Sequence, residues 1–134
     1  MRAAKLVWGF TLSEVLIATV IVGVLASLAI PQFTRTIERA YWRDARDLLM
    51  TTYAGEQVYF AANDAYYAPG TWNTIYMDNP NGGSVPVSFT VGVVGKTFTA
   101  TATRNGGLCN GKVQTINELR QPGAGDNWPA SGDC

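Results

Sequence analysis

Hydrophobic positions along this chain fall into three successive patterns, each predicting a different element. From Val15 to Phe33 the sequence reads VLIATVIVGVLASLAIPQF, 19 positions without a charged residue. An apolar run of that length predicts a helix of about 28 Å, close to the hydrocarbon thickness of a bilayer. From Thr34 to about Asn63 the pattern becomes amphipathic. Apolar or small residues recur at Ile37, Tyr41, Ala45, Leu48, Thr52, Gly55, Tyr59 and Ala62, three or four apart, the spacing of one helix face. Arg35, Glu38, Arg39, Arg43, Asp44, Arg46, Asp47 and Glu56 fill the gaps, and the charges of Arg35 to Asp47 are expected on a solvated or intersubunit face of paired signs. No proline lies between Gln32 and Asp64, so residues 10–62 are predicted to form one helix of roughly 80 Å.

Turn formers begin at Asn63-Asp64, and Ala68-Pro69-Gly70 and Asn79-Pro80-Asn81-Gly82-Gly83 read as loops around an aromatic-rich link with Tyr66, Tyr67, Trp72 and Tyr76. The period then changes to two. Val87, Phe89, Val91 and Val93 alternate with Ser88, Thr90 and Gly92, and Phe98, Ala100 and Ala102 alternate with Thr97, Thr99, Thr101 and Thr103. Both runs predict half-buried strands joined by a tight hairpin at Gly95-Lys96, with a third strand over Lys112 to Asn117. From Gln121 onward Pro, Gly, Asn and Asp dominate, so the tail is expected to be a loop. A small antiparallel sheet has one face to bury, and the amphipathic stripe is its natural cover. The expected fold is α+β: a long N-terminal helix whose C-terminal half packs on a small antiparallel sheet while its N-terminal half protrudes.

Composition narrows the function. Ten basic and ten acidic side chains balance and histidine is absent. Without clustered Lys or Arg there is no nucleic-acid footprint. Without His the usual general base is missing, and no nucleophile–base pair or phosphate-binding loop is visible. The expectation is a protein that is not an enzyme and carries no cofactor. Arg2 and Lys5 precede the apolar run, which places the N-terminus in the cytoplasm and the rest of the chain outside it. Cys109 and Cys134 are too far apart for a redox CxxC pair and too few for a zinc site. In an oxidising compartment they would close a loop of about 26 residues, worth roughly 3.5 kcal/mol by loop entropy. That bridge is favoured over two free thiols, and it would tether the tail.

Glu14 is the residue that turns hydrophobicity into a functional signal. An acid at mid-span costs about 2.5–3.5 kcal/mol, less near an interface, so such a group usually has a partner. A cut between Gly9 and Phe10 would create one, because it exposes a new amine four residues from Glu14. In a stack of identical helices, Glu14 of one copy could then neutralise the Phe10 amine of its neighbour.

Gly9-Phe10-Thr11-Leu12-Ser13-Glu14, after a short basic leader and before the apolar run, resembles the processing site of the type IV pilins and their relatives, the pseudopilins of type II secretion and DNA-uptake systems. The resemblance is close over residues 1–33 and architectural beyond them. Trp8 departs from it, where many leaders carry a polar or basic residue. The resemblance implies a prepilin peptidase that cuts after Gly9 and methylates the Phe10 amine, then self-assembly into a helical homopolymer with inner-membrane pilus or secretion machinery. Removal of the leader would take away Arg2 and Lys5, the charges that hold the precursor's N-terminus in the cytoplasm. It also implies an inner-membrane precursor and an extracellular pilus, with Phe10, Glu14, Gly23 and Pro31 as assembly residues. The domains expected are leader 1–9, membrane and assembly helix 10–33, amphipathic helix 34–63, and link, sheet and disulfide loop 64–134.

Plainer readings stand beside these. A secretory signal cut near Ser27-Leu28-Ala29 would explain the basic start and apolar run, but the run begins at an acid and its helical period continues past that point. A simple anchor does not explain Glu14 beside Gly9-Phe10. Membrane helices tolerate Gly23 and Pro31; the alternative is a 23–31 segment that loses helical hydrogen bonds in a filament, since proline removes a donor. The aromatics Phe10, Phe33, Tyr41, Tyr53, Tyr59, Phe60 and Tyr66 are expected to pack and stack, with electron conduction, proposed for some pilins, as the alternative. Asp126 and Asp133 are the candidates for a calcium site of the pseudopilin kind, without EF-hand spacing. A pilus subunit is favoured over a secretion pseudopilin because major pseudopilins more often organise the region of the cysteine loop around calcium.

Overall fold

The computed structural model describes residues 9–68, 70–83 and 85–134. Of the leader expected over residues 1–9, residues 1–8, with Arg2 and Lys5, lie outside the described residues, as does Pro69 of the first expected loop. The described elements are helix α1 (Leu12–Asn63), two short 3-10 turns at Trp72–Ile75 and Pro80–Gly82, and strands β1 (Val87–Val94), β2 (Thr97–Arg104) and β3 (Val113–Asn117). Residues Met1–Phe33 and Thr34–Cys134 form two separately compact units, and α1 contributes to both.

In the first unit every described residue from Gly9 to Phe33 is exposed. The large apolar side chains between Val15 and Ile30 are 52–66% exposed. Exposed apolar surface costs about 25 cal/mol per Å² against burial, so this helix is built for lipid or for other chains. It is long and apolar enough to cross a membrane, and it continues through Pro31. Thr19 and Ser27 satisfy their hydroxyls internally by donating to the carbonyls of Leu16 and Val24, at 2.9 and 2.7 Å.

In the second unit the strands form an antiparallel sheet in the order β1-β2-β3. The register sets Val87, Phe89, Val91 and Val93 opposite Arg104, Ala102, Ala100 and Phe98, and sets Ala100 and Ala102 opposite Ile116 and Gln114. That face carries the core: Phe89, Phe98, Ala100, Ala102 and Ile116 cluster with Ala45 and Leu49 of α1. Gly95 takes φ +61° at the hairpin tip, where two-residue hairpin turns place a glycine. The link adds Trp72, Ile75 and Met77 to the core. Its close approach depends on Gly55, where a β-carbon would overlap the Ile75 carbonyl oxygen.

Several details differ from the sequence expectation. Glu38, expected on the solvated or intersubunit face, is buried at 3% exposure, and Glu56, expected in a gap of the apolar stripe, is buried at 0%. Leu49, rather than Leu48, is the fully buried leucine, and Ala62 is exposed. The tail does more than hang from its cysteine. Asn127 and Trp128 donate their amides to the Val113 carbonyl, Asn127 Oδ1 accepts from Val113 N, and Asn117 N donates to the Gln121 carbonyl. These bonds cover the outer edge of β3, which would otherwise expose unpaired strand groups, and they deliver Trp128 to the core at 3% exposure.

Candidate functional site

The head of α1 is organised by Thr11 and Glu14. Glu14 Oε2 accepts from Thr11 N and from Thr11 Oγ1, both at 2.8 Å, and Glu14 N donates to Thr11 Oγ1 at 3.3 Å. Thr11 O takes the first helical bond, from Val15 N at 3.2 Å. This is a reciprocal capping box in which residue and third successor satisfy each other's first-turn amides. It explains why the helix begins at Leu12 instead of Phe10. Its value is greatest where water is scarce, because an unpaired amide near hydrocarbon is costly. A carboxylate at a helix N-terminus also complements the macrodipole. Glu14 therefore has a use within a single chain.

Around this cap lies a groove of about 540 Å³, lined by Phe10, Glu14, Val15, Ala18, Thr19, Val22 and Gly23. Small side chains on one flank, between larger ones, make a notch on an otherwise bulky helix. A β-carbon added at Gly23 would meet nothing within 4 Å. Glycine inside a helix costs about 1 kcal/mol relative to alanine, and nothing described in this chain requires it there. Phe10 stands 86% exposed beside the groove.

The remaining candidate residues lie elsewhere. Cys109 and Cys134 form a disulfide with Cα atoms 5.2 Å apart. Phe33 is 66% exposed. Tyr53, Phe98, Tyr66 and Phe60 form a run of ring contacts with centroids 6.2, 4.8 and 4.6 Å apart, and Tyr59 packs on Tyr67 at 5.3 Å. Tyr41 instead lies under the Arg104 guanidinium, 4.4 Å from its centroid. Asp133 pairs with Arg35 at 2.9 Å, and an Asp126 oxygen accepts from Thr115 N at 3.4 Å. Among the described residues no three carboxylate, thiol or imidazole groups gather as a metal site would need.

Two buried carboxylates stand out in the second unit. Glu38 receives Arg104 in bidentate fashion, at 2.9 Å from both Nε and Nη2, and also accepts Leu108 N at 3.1 Å. Glu56 accepts Tyr67 N at 2.9 Å through Oε2, while its buried Oε1 has no partner. Burial pushes the Glu56 carboxyl above its ordinary range, against the opposing pull of that amide. The Thr74 and Thr71 hydroxyls hold the Tyr67 phenol below its ordinary range.

Thr11, Glu38 and Arg104 were not singled out by pattern reading, yet each left a signal. Thr11-x-x-Glu14 before an apolar run is the capping-box spacing. Arg104 falls in phase with inward-facing Phe98, Ala100 and Ala102. Glu38 lies seven residues before Ala45, on the same helical face.

No family model matches the chain. It is similar to the type IV major pilin protein PilA of Myxococcus xanthus (strain DK1622), with 36% identity over 58 residues. The match covers 43% of this chain and 26% of that protein's length. This likeness, with one long helix followed by a small antiparallel sheet, supports the type IV pilin family.

Proposed function

We propose that this chain belongs to the type IV pilin family and is the structural subunit of a pilus filament. In this reading it is cleaved after Gly9, methylated at Phe10 and polymerised through its N-terminal helix. The observation that carries it is the helix itself: an apolar surface exposed on every side, headed by a carboxylate and notched at Gly23, where none of the described residues fills the notch. Before assembly that surface sits in the inner membrane, with residues 34–134 outside the cytoplasm. After assembly neighbouring helices replace the lipid. A prepilin peptidase and inner-membrane assembly machinery are the partners this route requires. Glu14 then exchanges its Thr11 contacts for the Phe10 amine of a neighbour, a charge-assisted bond stronger than a neutral one. The fibre serves adhesion, motility, DNA uptake or extracellular contact, and no residue acts as a catalyst.

A secretion pseudopilin is the second reading. The filament is favoured because Cys109–Cys134 closes the C-terminal region covalently, and the loop carboxylates are engaged by Arg35 and the Thr115 amide. Conduction is not favoured, since the stacked rings are held by helix, link and sheet as packing.

The test is the intact mass of the subunit in sheared surface fibres. The expected chain begins at Phe10 and carries one added methyl; a chain retaining residues 1–9 overturns the reading. Glu14→Ala should enter the membrane but lower fibre yield at least about tenfold, the effect of losing roughly 1.4 kcal/mol per contact. Normal fibres from that variant would refute the charge pairing.

A further inference from the structure

A second apolar surface lies within the Thr34–Cys134 unit. It is a groove of about 410 Å³ lined by Thr34, Ile37, Tyr41 and Leu108, with Glu38, Arg104 and Gly107 completing it. We propose that this groove receives large apolar side chains from the Leu12–Phe33 segment of a second copy of the chain, with Leu108 as its anchor. The proposal rests on the filament reading and names where on the folded unit a neighbour's helix is held.

The chemistry of the groove selects an apolar guest. Its charged groups, Glu38 and Arg104, neutralise each other and are only 4% exposed at their side chains. The guanidinium is largely engaged: Nε and Nη2 donate to Glu38, and Nη1 donates to the carbonyls of Pro86 and Asn105, at 3.0 and 2.7 Å. Tyr41 covers its face. Four of the five guanidinium N–H donors are engaged in this way, so what the groove chiefly gains on filling is the removal of apolar surface from water.

Leu108 is 53% exposed, yet its backbone is fixed on both sides. Its amide is held by Glu38 Oε1, and the next residue is the fully buried, disulfide-bonded Cys109. Before it, Gly107 adopts φ +71° and presses against the Glu38–Arg104 pair, where a β-carbon would overlap Glu38 Oε1. An exposed leucine on a backbone held this tightly loses little freedom on binding, which is the condition for an efficient anchor. The guest is supplied by the chain itself. Among the described residues, helix 12–33 is the long continuous set of exposed large apolar side chains, and every added copy brings one.

The test uses the full-length chain with a photo-reactive benzoylphenylalanine in place of Leu108, assembled into fibres, irradiated and analysed by peptide mass spectrometry. Cross-links to residues 12–33 of a second copy are the expected result. Links confined to residues 34–134 of the second copy, to lipid, or to nothing overturn the proposal. In parallel, Leu108→Glu should keep its disulfide and thermal midpoint while fibre yield falls at least about tenfold, and Leu108→Met should assemble as the parent does. Wild-type cells without fibres would defeat the filament reading itself. Fibres from the wild type with equal fibres from Leu108→Glu would defeat only the groove.

Discussion

Replacing Glu38 by Gln changes almost no volume but removes the counter-charge of a buried arginine. Both side chains of the pair are 4% exposed, so water cannot take over the lost contacts. Arg104 would keep two backbone carbonyls and the Tyr41 face, but the new amide would point donors at a guanidinium that can only donate. Breaking a buried pair from one side costs about 3–5 kcal/mol. The cation–π contact with Tyr41 is present in the parent as well, so it offsets none of this loss. A loss of about 3–5 kcal/mol is therefore expected, a large share of a stability that is typically about 5–15 kcal/mol. The double variant Glu38→Leu/Arg104→Met should recover most of it, because two apolar groups leave no charge unpaired. The assay is urea unfolding of the full chain in detergent micelles with the disulfide intact, followed by the fluorescence of Trp42, Trp72 and Trp128. A loss below about 1 kcal/mol for Glu38→Gln, the range of solvent-exposed pairs, would refute the reasoning. So would a double variant less stable than the single one.

Glu56 predicts a pH dependence of opposite sense to that of a salt-bridged acid. Its folded pKa is raised above the ordinary 4.5 by burial, so the folded chain holds the proton more tightly than the unfolded one. Its contribution is therefore complete below pH 4.5 and is lost as pH rises from there through the raised folded value. Glu56→Gln should flatten that decline and be more stable than the parent at neutral pH; parallel stability profiles would show that the carboxyl is solvated. Gly55→Ala should lose about 1–3 kcal/mol by overpacking against the Ile75 carbonyl, more than the ~1 kcal/mol of helix propensity it gains. Gly23→Ala, with open space around the added carbon, should melt no lower in micelles but yield fewer fibres, and equal yields would mean that the notch is unused.

The elements were legible because their patterns are local. The unbroken apolar run Val15–Phe33, the change to helical spacing at Thr34, and the change to period two at Val87 each predict an element that the structure contains. The hairpin at Gly95-Lys96 could be read from one glycine between two alternating runs. The number and spacing of the two cysteines, with an oxidising compartment as the expectation, also point to the bond that the structure contains. What could not be read was which polar groups go inside. Glu38 looks like any other charge of a helical polar face until the hairpin register brings Arg104, 66 positions away, within bonding distance.

The same limit applies to the tail and to Glu14. Gln121 to Cys134 reads as loop because its residues lack periodicity, and only the sheet's unpaired edge gives Asn127 and Trp128 a place to bond. Glu14 was visible in the sequence as a charge out of place at the head of an apolar helix; the structure adds that Thr11 already occupies it. By itself the sequence determined the apolar helix, the strands and the cysteine pair, because hydrophobic period and turn chemistry act between near neighbours. Tertiary structure decided the buried ion pair, the covered edge and the groove beside Leu108, because these depend on groups distant along the chain that only folding brings together.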